Sequence, residues 1–257
     1  MRPLTCLSIY ITLIILSSCS PSMYSNTGHN APLFHQKGEV NIAGGYNETV
    51  NTETGLYAEG FDLKFATSVS DHTVIHSSFT HQWNSSETSD NWSAKGSYFE
   101  VGGGRYGVTG AENIAAGEII GGIGFMSLKN TKGNDYIDAV IIKPYVQPTI
   151  GITHKIIDVA FTPRIAYISY LNNDYSIMDV EERSEIRRFF DDKKSTLVIE
   201  PGVTLRLGYK NFKLIGQWSY STFKYESIFD DEFKPYLNRY LSIGLSILIT
   251  DRYNSIN

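Results

Sequence analysis

Arg239-Tyr240-Leu241-Ser242-Ile243-Gly244-Leu245-Ser246-Ile247-Leu248-Ile249 puts Leu241, Ile243, Leu245, Ile247 and Ile249 on one side of an extended chain. Ser242, Gly244 and Ser246 fall on the other, because successive side chains of a strand point to opposite faces. The same alternation recurs upstream. Phe61, Leu63 and Phe65 oppose Asp62, Lys64 and Ala66, and Ile157, Val159, Phe161 and Ile165 oppose Asp158, Thr162 and Arg164. Leu197, Ile199, Val203, Leu205 and Leu207 oppose Glu200, Gly202, Thr204, Arg206 and Gly208. One face is apolar from strand to strand.

Extended outward, this reading predicts ten strands: Glu39 to Tyr46, Tyr57 to Ser68, Thr73 to Trp83, Ser97 to Val108, Ala115 to Leu128, Val140 to Ile152, Ile156 to Tyr170, Thr196 to Tyr209, Phe212 to Phe223 and Arg239 to Thr250. The connections alternate in length. Val69 to His72, Thr109 to Ile114, His154 to Lys155 and Lys210 to Asn211 are short. Asn47 to Leu56, Asn84 to Gly96, Lys129 to Ala139, Leu171 to Ser195 and Lys224 to Asn238 read as long polar loops. Short turns on one rim and long loops on the other are the pattern of an outer-membrane barrel. The expected fold class is all-β, a single antiparallel up-and-down transmembrane β-barrel with short periplasmic turns and long extracellular loops.

Alternation is equally compatible with a soluble β-barrel or sandwich, and that alternative stays open. Two features favour the membrane. The polar face is rich in Gly60, Gly102, Gly104, Gly202, Gly208 and Gly244, which a crowded barrel interior requires. Most segments also approach the roughly ten residues a tilted strand needs to cross a bilayer. Pro144, Pro148, Pro163 and Pro201 fall inside strands, where the missing N–H predicts bulges.

The chain's 257 residues, with 42% hydrophobic, 13% aromatic and 19% charged side chains, fit one barrel domain. A net charge of -5 with scattered Lys and Arg excludes a basic footprint, so nucleic acid is not an expected partner. Ahead of the strands, Arg2 and the apolar run Leu4 to Leu16 form a signal-peptide pattern, too short to span a bilayer as a helix. Leu16-Ser17-Ser18-Cys19 resembles a bacterial lipobox, which implies cleavage before Cys19 and acylation of its thiol. Cys6 leaves with the leader, so the mature chain holds a single thiol and no disulfide. Its charge is 21 bases against 27 acids. The domains expected are a lipoprotein signal peptide at 1–18, a flexible lipid-anchored spacer at 19–37, rich in Ser, Asn, Pro and Gly, and the barrel at 38–257.

Tyr145-Val146-Gln147-Pro148-Thr149-Ile150-Gly151 and Asp158-Val159-Ala160-Phe161-Thr162-Pro163-Arg164, with Ala31-Pro32-Leu33-Phe34 and Gly38-Glu39-Val40 before the first strand, resemble a group of small lipoprotein-type outer-membrane β-barrels of Gram-negative bacteria. The resemblance implies fold and a lipid-anchored place in the outer membrane, and brings no catalytic residue. The tail from Asp251 to Asn257 departs from the aromatic ending of many such barrels.

The candidate site residues are Asp62, Lys64, Glu100, Glu118, Lys143, Asp158, Arg164, Glu200, Arg206 and Lys213, which alternation places on the inward face as a charge network. Such a mixture reads either as a narrow channel's ion path or as a mutually neutralising plug, and pairing favours the plug. Two hydrolase alternatives are also open. His76 and Ser78 share one face, as in some lipid A deacylases. His81 with Asp90 or the Asp230-Asp231 pair mimics the extracellular site of an omptin-type protease. Neither pattern is complete. No metal-ligand spacing, cofactor motif or phosphate loop occurs; Gly102-Gly103-Gly104 and Gly121-Gly122-Ile123-Gly124 are strand glycines. Asp179 to Phe190 predicts a short helix whose Val180, Ile186, Phe189 and Phe190 meet either a partner or the barrel rim. The expected function is a non-enzymatic envelope or surface-recognition protein, with outer-membrane lipid as partner and an extracellular ligand or envelope protein taken by the long loops.

Overall fold

In the computed structural model, residues 21–51, 56–84, 92–110, 114–192, 195–223 and 236–250 are described. Ten strands close into one barrel. They are β1 (Val40–Val50), β2 (Tyr57–Ser70), β3 (Thr73–Asn84), β4 (Ser93–Thr109), β5 (Ala115–Lys132), β6 (Asp135–Thr153), β7 (Ile157–Ser176), β8 (Ser195–Tyr209), β9 (Phe212–Tyr220) and β10 (Arg239–Ile249). Each pairs antiparallel with its sequence neighbour, and β10 pairs with β1 from Arg239↔Val50 to Ile249↔Val40. Closure leaves no open edge, the condition for spanning lipid with strands. The helix α1 (Val180–Asp192) lies between β7 and β8.

The packing is inside out. Ile42, Leu63, Phe65, Ile119, Phe125, Val146, Ile150, Phe161, Ile165, Leu205, Leu214, Ile243 and Leu245 are exposed around the outside, while Asp62, Lys64, Glu100, Lys143, Arg164 and Glu200 are buried within. A protein in water buries the first set and solvates the second. The apolar girdle has an upper boundary. Above it, outward Glu48, Glu59, Trp83, Lys95, Lys129, Asp138 and Asp174 are joined in direct register from strand to strand, a polar line that climbs away from the girdle towards β7 because the strands are tilted. Tyr46, Trp83, Tyr167 and Trp218 lie near this edge, as interfacial aromatics do.

Two expectations are corrected. The loop expected at Lys129 to Ala139 is mostly strand: β5 runs to Lys132, β6 begins at Asp135, and Gly133 turns the chain at φ +59°. Strands β4 to β7 are 17, 18, 19 and 20 residues long, and their upper ends rise above the girdle, where polar outward residues are normal. The bulges expected at the prolines also do not form. The β7–β8 register passes through Pro163↔Pro201 unbroken, and the β6–β7 register is the same on both sides of Pro144 and Pro148. Bulges sit instead at Val69, by the β2–β3 turn, and at Leu171, where β7 leaves the girdle. Parts of the other expected loops, 52–55, 85–91, 193–194 and 224–235, and 111–113 of an expected short turn lie outside the described residues, as do the stretch 1–18 expected to be a signal peptide, Cys19 and the tail from 251.

Candidate functional site: a lumen filled by the N-terminal segment

The segment expected to be a flexible spacer is, from residue 21 to residue 36, inside the barrel. Residues 21–34 are buried without exception. The chain enters beside the upper rim and descends to the periplasmic turns. Ser22 exchanges two hydrogen bonds with the Asn130 side chain, N–H to Oδ1 and Nδ2 to the Ser22 carbonyl, both 2.9 Å. Tyr170 Oη donates to the Met23 carbonyl at 2.7 Å. Tyr24–Ser25 pairs in parallel with Tyr236–Leu237, and Asn26 Nδ2 donates to Ser219 Oγ and to the Asn238 carbonyl. Deeper, Gln217 grips His29 as a strand would: its Oε1 accepts from His29 N–H at 2.9 Å and its Nε2 donates to the His29 carbonyl at 2.8 Å. Gln147 Nε2 donates to the Asn30 carbonyl at 2.7 Å, and Arg206 to the Ala31 carbonyl. At the base Glu118 accepts from Phe34 N–H at 3.0 Å, Glu39 from His35 N–H at 2.7 Å, and Ser68 Oγ donates to the Gln36 carbonyl at 2.6 Å.

An irregular backbone buried away from water must have its amides and carbonyls paired, and here the inward side chains of distant strands do it. The apolar residues of the segment fill the remaining space. Leu33 packs with Ala116 and Ala160. Phe34 sits among Ala66, Val74, Tyr106, Ile120 and Tyr145. Inward glycines make room for bulky neighbours: a Cβ on Gly124 would stand 2.2 Å from Tyr98 Oη, and one on Gly122 2.4 Å from Tyr145 Oη.

All ten charged residues read as inward are buried on the lumen side, and they fall into four groups. In the first, Arg164 contacts Glu100 at 3.1 and 3.2 Å and Gln147 at 2.7 and 3.1 Å, with its guanidinium 4.4 Å above the Tyr145 ring. Glu100 also accepts from Ser78 and Tyr98, at 2.6 and 2.7 Å. In the second, Lys143 lies 2.8 Å from Glu200 and 2.8 Å from Tyr24 Oη, which itself donates to Glu200 at 2.5 Å. In the third, Lys64 and Asp62 are 3.2 Å apart, with Tyr240 Oη donating to Asp62 at 2.6 Å and Lys64 donating to Gln217 at 2.8 Å. The fourth group is at the base: Lys213 meets Asp158 at 2.6 Å, Arg206 lies 4.0 Å from Asp158, and Glu118 holds Phe34. The pairing therefore does two jobs, neutralising the lumen and holding the segment. Sequence reasoning missed Asn130, Gln147 and Gln217. Their one signal is an uncharged amide at an inward strand position.

Above the lumen, α1 forms a roof. Asp179 caps it, its Oδ1 accepting from the N–H groups of Glu181 and Glu182 at 2.9 Å each. Ile186, Phe189 and Phe190 turn inward onto Tyr170, Met23, Tyr24 and Trp92, so three of the four helix residues read as a contact patch meet the rim. Val180 is 76% exposed and its neighbour Met178 69%. Trp92 Nε1 and Lys132 Nζ pin the helix through Glu182, at 2.7 and 3.2 Å.

No family model matches the sequence, and no curated protein matches it. Among solved structures the chain is similar to Ail, the attachment invasion locus protein of Yersinia pestis, at 14% identity and a TM-score of 0.36 over 83% of this chain and 99% of that one. It is also similar to the outer membrane protease OmpT of Escherichia coli, at 10% identity and a TM-score of 0.45 over 87% and 100% of the two chains. The translocator domain of the autotransporter NalP from Neisseria meningitidis matches at 11% identity and a TM-score of 0.38, over 85% and 89%. These are likenesses of barrel architecture and map no residue onto another. What decides the class is the inversion, with charges within and an apolar girdle without. The chain is an outer-membrane β-barrel.

Within this barrel the two hydrolase patterns fall in different places. His76 and Ser78 face the lumen, His76 Nε2 against Tyr145 Oη at 2.9 Å and Ser78 on Glu100. His81 points outward, its Nδ1 2.9 Å from Ser97 Oγ and its ring between those of Phe61 and Trp83. Asp90, Asp230 and Asp231 lie outside the described residues.

Proposed function

We propose that this chain is a lipid-anchored, non-enzymatic outer-membrane barrel that is closed to solute flow and presents a recognition surface at its extracellular mouth. The filled lumen carries this reading. A backbone bonded side chain by side chain along the axis occupies the space an ion path needs, and the paired charges leave no line of one sign. Two interior crevices, one at the base beside Asp158 and Arg206 and one at the mouth beside Gln82 and Leu237, have volumes of about 10 and 20 Å³, room for about one water each. This supports the plug over the channel.

The upper hairpins and the roof support display. The ends of β5, β6 and β7 with α1 make a raised, internally packed platform, the kind of rigid scaffold on which binding groups sit. Exposed Met178 and Val180, beside acidic Glu181, give it an apolar contact flanked by negative charge. Neither hydrolase pattern adds to this reading, since one histidine is tied into the lumen and the other looks toward lipid. The anchor at Cys19 follows from the lipobox.

Planar bilayers test the closed barrel. Protein shown to be inserted by protease protection gives no steady conductance steps. A variant lacking residues 21–36, if it inserts, gives them. Stable steps from the intact chain would overturn the closed reading. For the platform, Val180→Asp with Met178→Asp removes binding of the full-length protein to host or neighbouring-cell surfaces while insertion is unchanged; binding equal to that of the unaltered protein would refute the role given to this patch.

A further inference from the structure

The direction in which the N-terminal segment runs has a topological consequence. Residue 36 is at the periplasmic end, held by Ser68 near the close of β2, and His35 Nε2 lies 2.6 Å from Thr153 Oγ1, the last residue of β6. Residue 22 is at the opposite end, on Asn130, one residue past Lys129 in the outward polar line. Asn130 stands fifteen residues along β5 from Ala115. At about 3.3 Å per residue and a tilt of about 40°, that is roughly 38 Å above the periplasmic turns. The segment crosses the whole membrane inside its own barrel.

We infer that the chain preceding Ser22 leaves through the extracellular mouth, so that the N-terminal lipid sits on the outer side of the outer membrane and not in its periplasmic leaflet. Two residues, Ser20 and Pro21, lie between Cys19 and Ser22, and the three steps reach about 10 Å when fully extended. The periplasmic leaflet lies beyond a hydrocarbon band about 25 Å tall. Ser22 is held at the wall, on Asn130 of β5, just beyond the upper limit of that band, so a diacylglycerol on Cys19 has the outer leaflet within reach. The N-terminus and lipid are thus on the cell surface, while the end of β10 at Ile249 is on the periplasmic side. The position of the lipid rests on the proposed acylation of Cys19; the exit of the chain does not.

Membrane-impermeant maleimide on intact Gram-negative cells tests this. In Ser20→Cys the new thiol labels on intact cells at least tenfold above the unaltered protein, whose acylated Cys19 offers none. A cysteine placed after Thr250 labels only once the outer membrane is permeabilised. If Ser20→Cys labels solely after permeabilisation, the inferred exit is wrong. Failure of acylation looks different: the unaltered protein itself labels on intact cells at Cys19 and takes up no fatty-acid analogue, which overturns the outer-leaflet lipid. If Ser20→Cys disturbs assembly, a short epitope between Cys19 and Ser20 reads the same geometry. Antibody binding to intact cells supports the exit, and binding only to permeabilised cells refutes it.

Discussion

Replacing Arg164 with leucine tests whether the lumen is held by charge pairing. Arg164 is fully buried and makes two contacts to Glu100, two to Gln147 and one to the face of Tyr145. Leucine fills part of the volume and leaves the Glu100 carboxylate with neutral donors only, Ser78 and Tyr98. An unpaired buried charge costs about 3–5 kcal/mol, and no solvent screening reduces this at a side chain with 0% exposure. The Gln147 oxygen loses both Arg164 donors, which overlaps with the same loss and is not added to it. Glu100→Gln in the same chain removes the orphaned charge, so the double variant is less destabilised than the sum of the singles by about 1.5 kcal/mol or more. Reversible urea unfolding in lipid vesicles, followed by fluorescence of the three tryptophans, measures all four proteins. A cost below about 1 kcal/mol for Arg164→Leu, or strict additivity in the double variant, would refute the pairing as a source of stability.

Three further outcomes follow from the geometry. Leu245→Arg, at an outward position 61% exposed to the surroundings, destabilises the barrel by about 2–4 kcal/mol if it lies near the midplane; an unchanged urea midpoint in vesicles would contradict the girdle. Gln217→Leu leaves the amide and carbonyl of His29 without their clamp, and proteolysis from the outer side then cuts the segment faster, while insertion persists; equal cutting rates would show that the clamp does not hold it. Asp179→Ala removes the α1 cap at about 1 kcal/mol, seen as faster amide exchange in Glu181 to Arg183 with the strands unaffected; unchanged exchange there would argue against the cap.

The strands were legible because their partners are local and their environment alternates. A membrane barrel sorts residues by parity, and Leu241 to Ile249 states this without ambiguity. α1 was legible for a similar reason: its cap, and Ile186, Phe189 and Phe190 on one side, are local signals. Where β5 and β6 leave the membrane, outward Lys129 and Asp138 look like loop residues, because polarity outside the girdle no longer distinguishes a strand from a turn. The prolines misled in the opposite direction, since a closed ladder of many pairs tolerates a missing N–H without shifting register.

The N-terminal segment was the least legible part. It has no period, and its composition of Ser, Asn, Pro and Gly is that of a linker. Its order comes from partners such as Gln217, 188 residues away from His29, and Asn130, 108 residues from Ser22. The inward charges were readable from parity, but their second role, holding a foreign-looking stretch of the same chain, depends on which end of the barrel that stretch enters. The segment runs directly into β1, one of the two strands at the closing seam.

The most direct test is a disulfide between Ser22→Cys and Asn130→Cys, introduced with Cys19 acylated and assembled in native membranes. The two backbone-to-side-chain bonds of 2.9 Å hold these two residues against each other. If the N-terminal segment runs through the lumen to the mouth, the bridge forms under mild oxidation in most molecules, shifts the unreduced protein on a gel, and survives in folded, inserted barrels. If residues 21–36 instead hang in the periplasm, the two thiols stay apart by the thickness of the membrane, no bridge forms, and each remains free to react with maleimide.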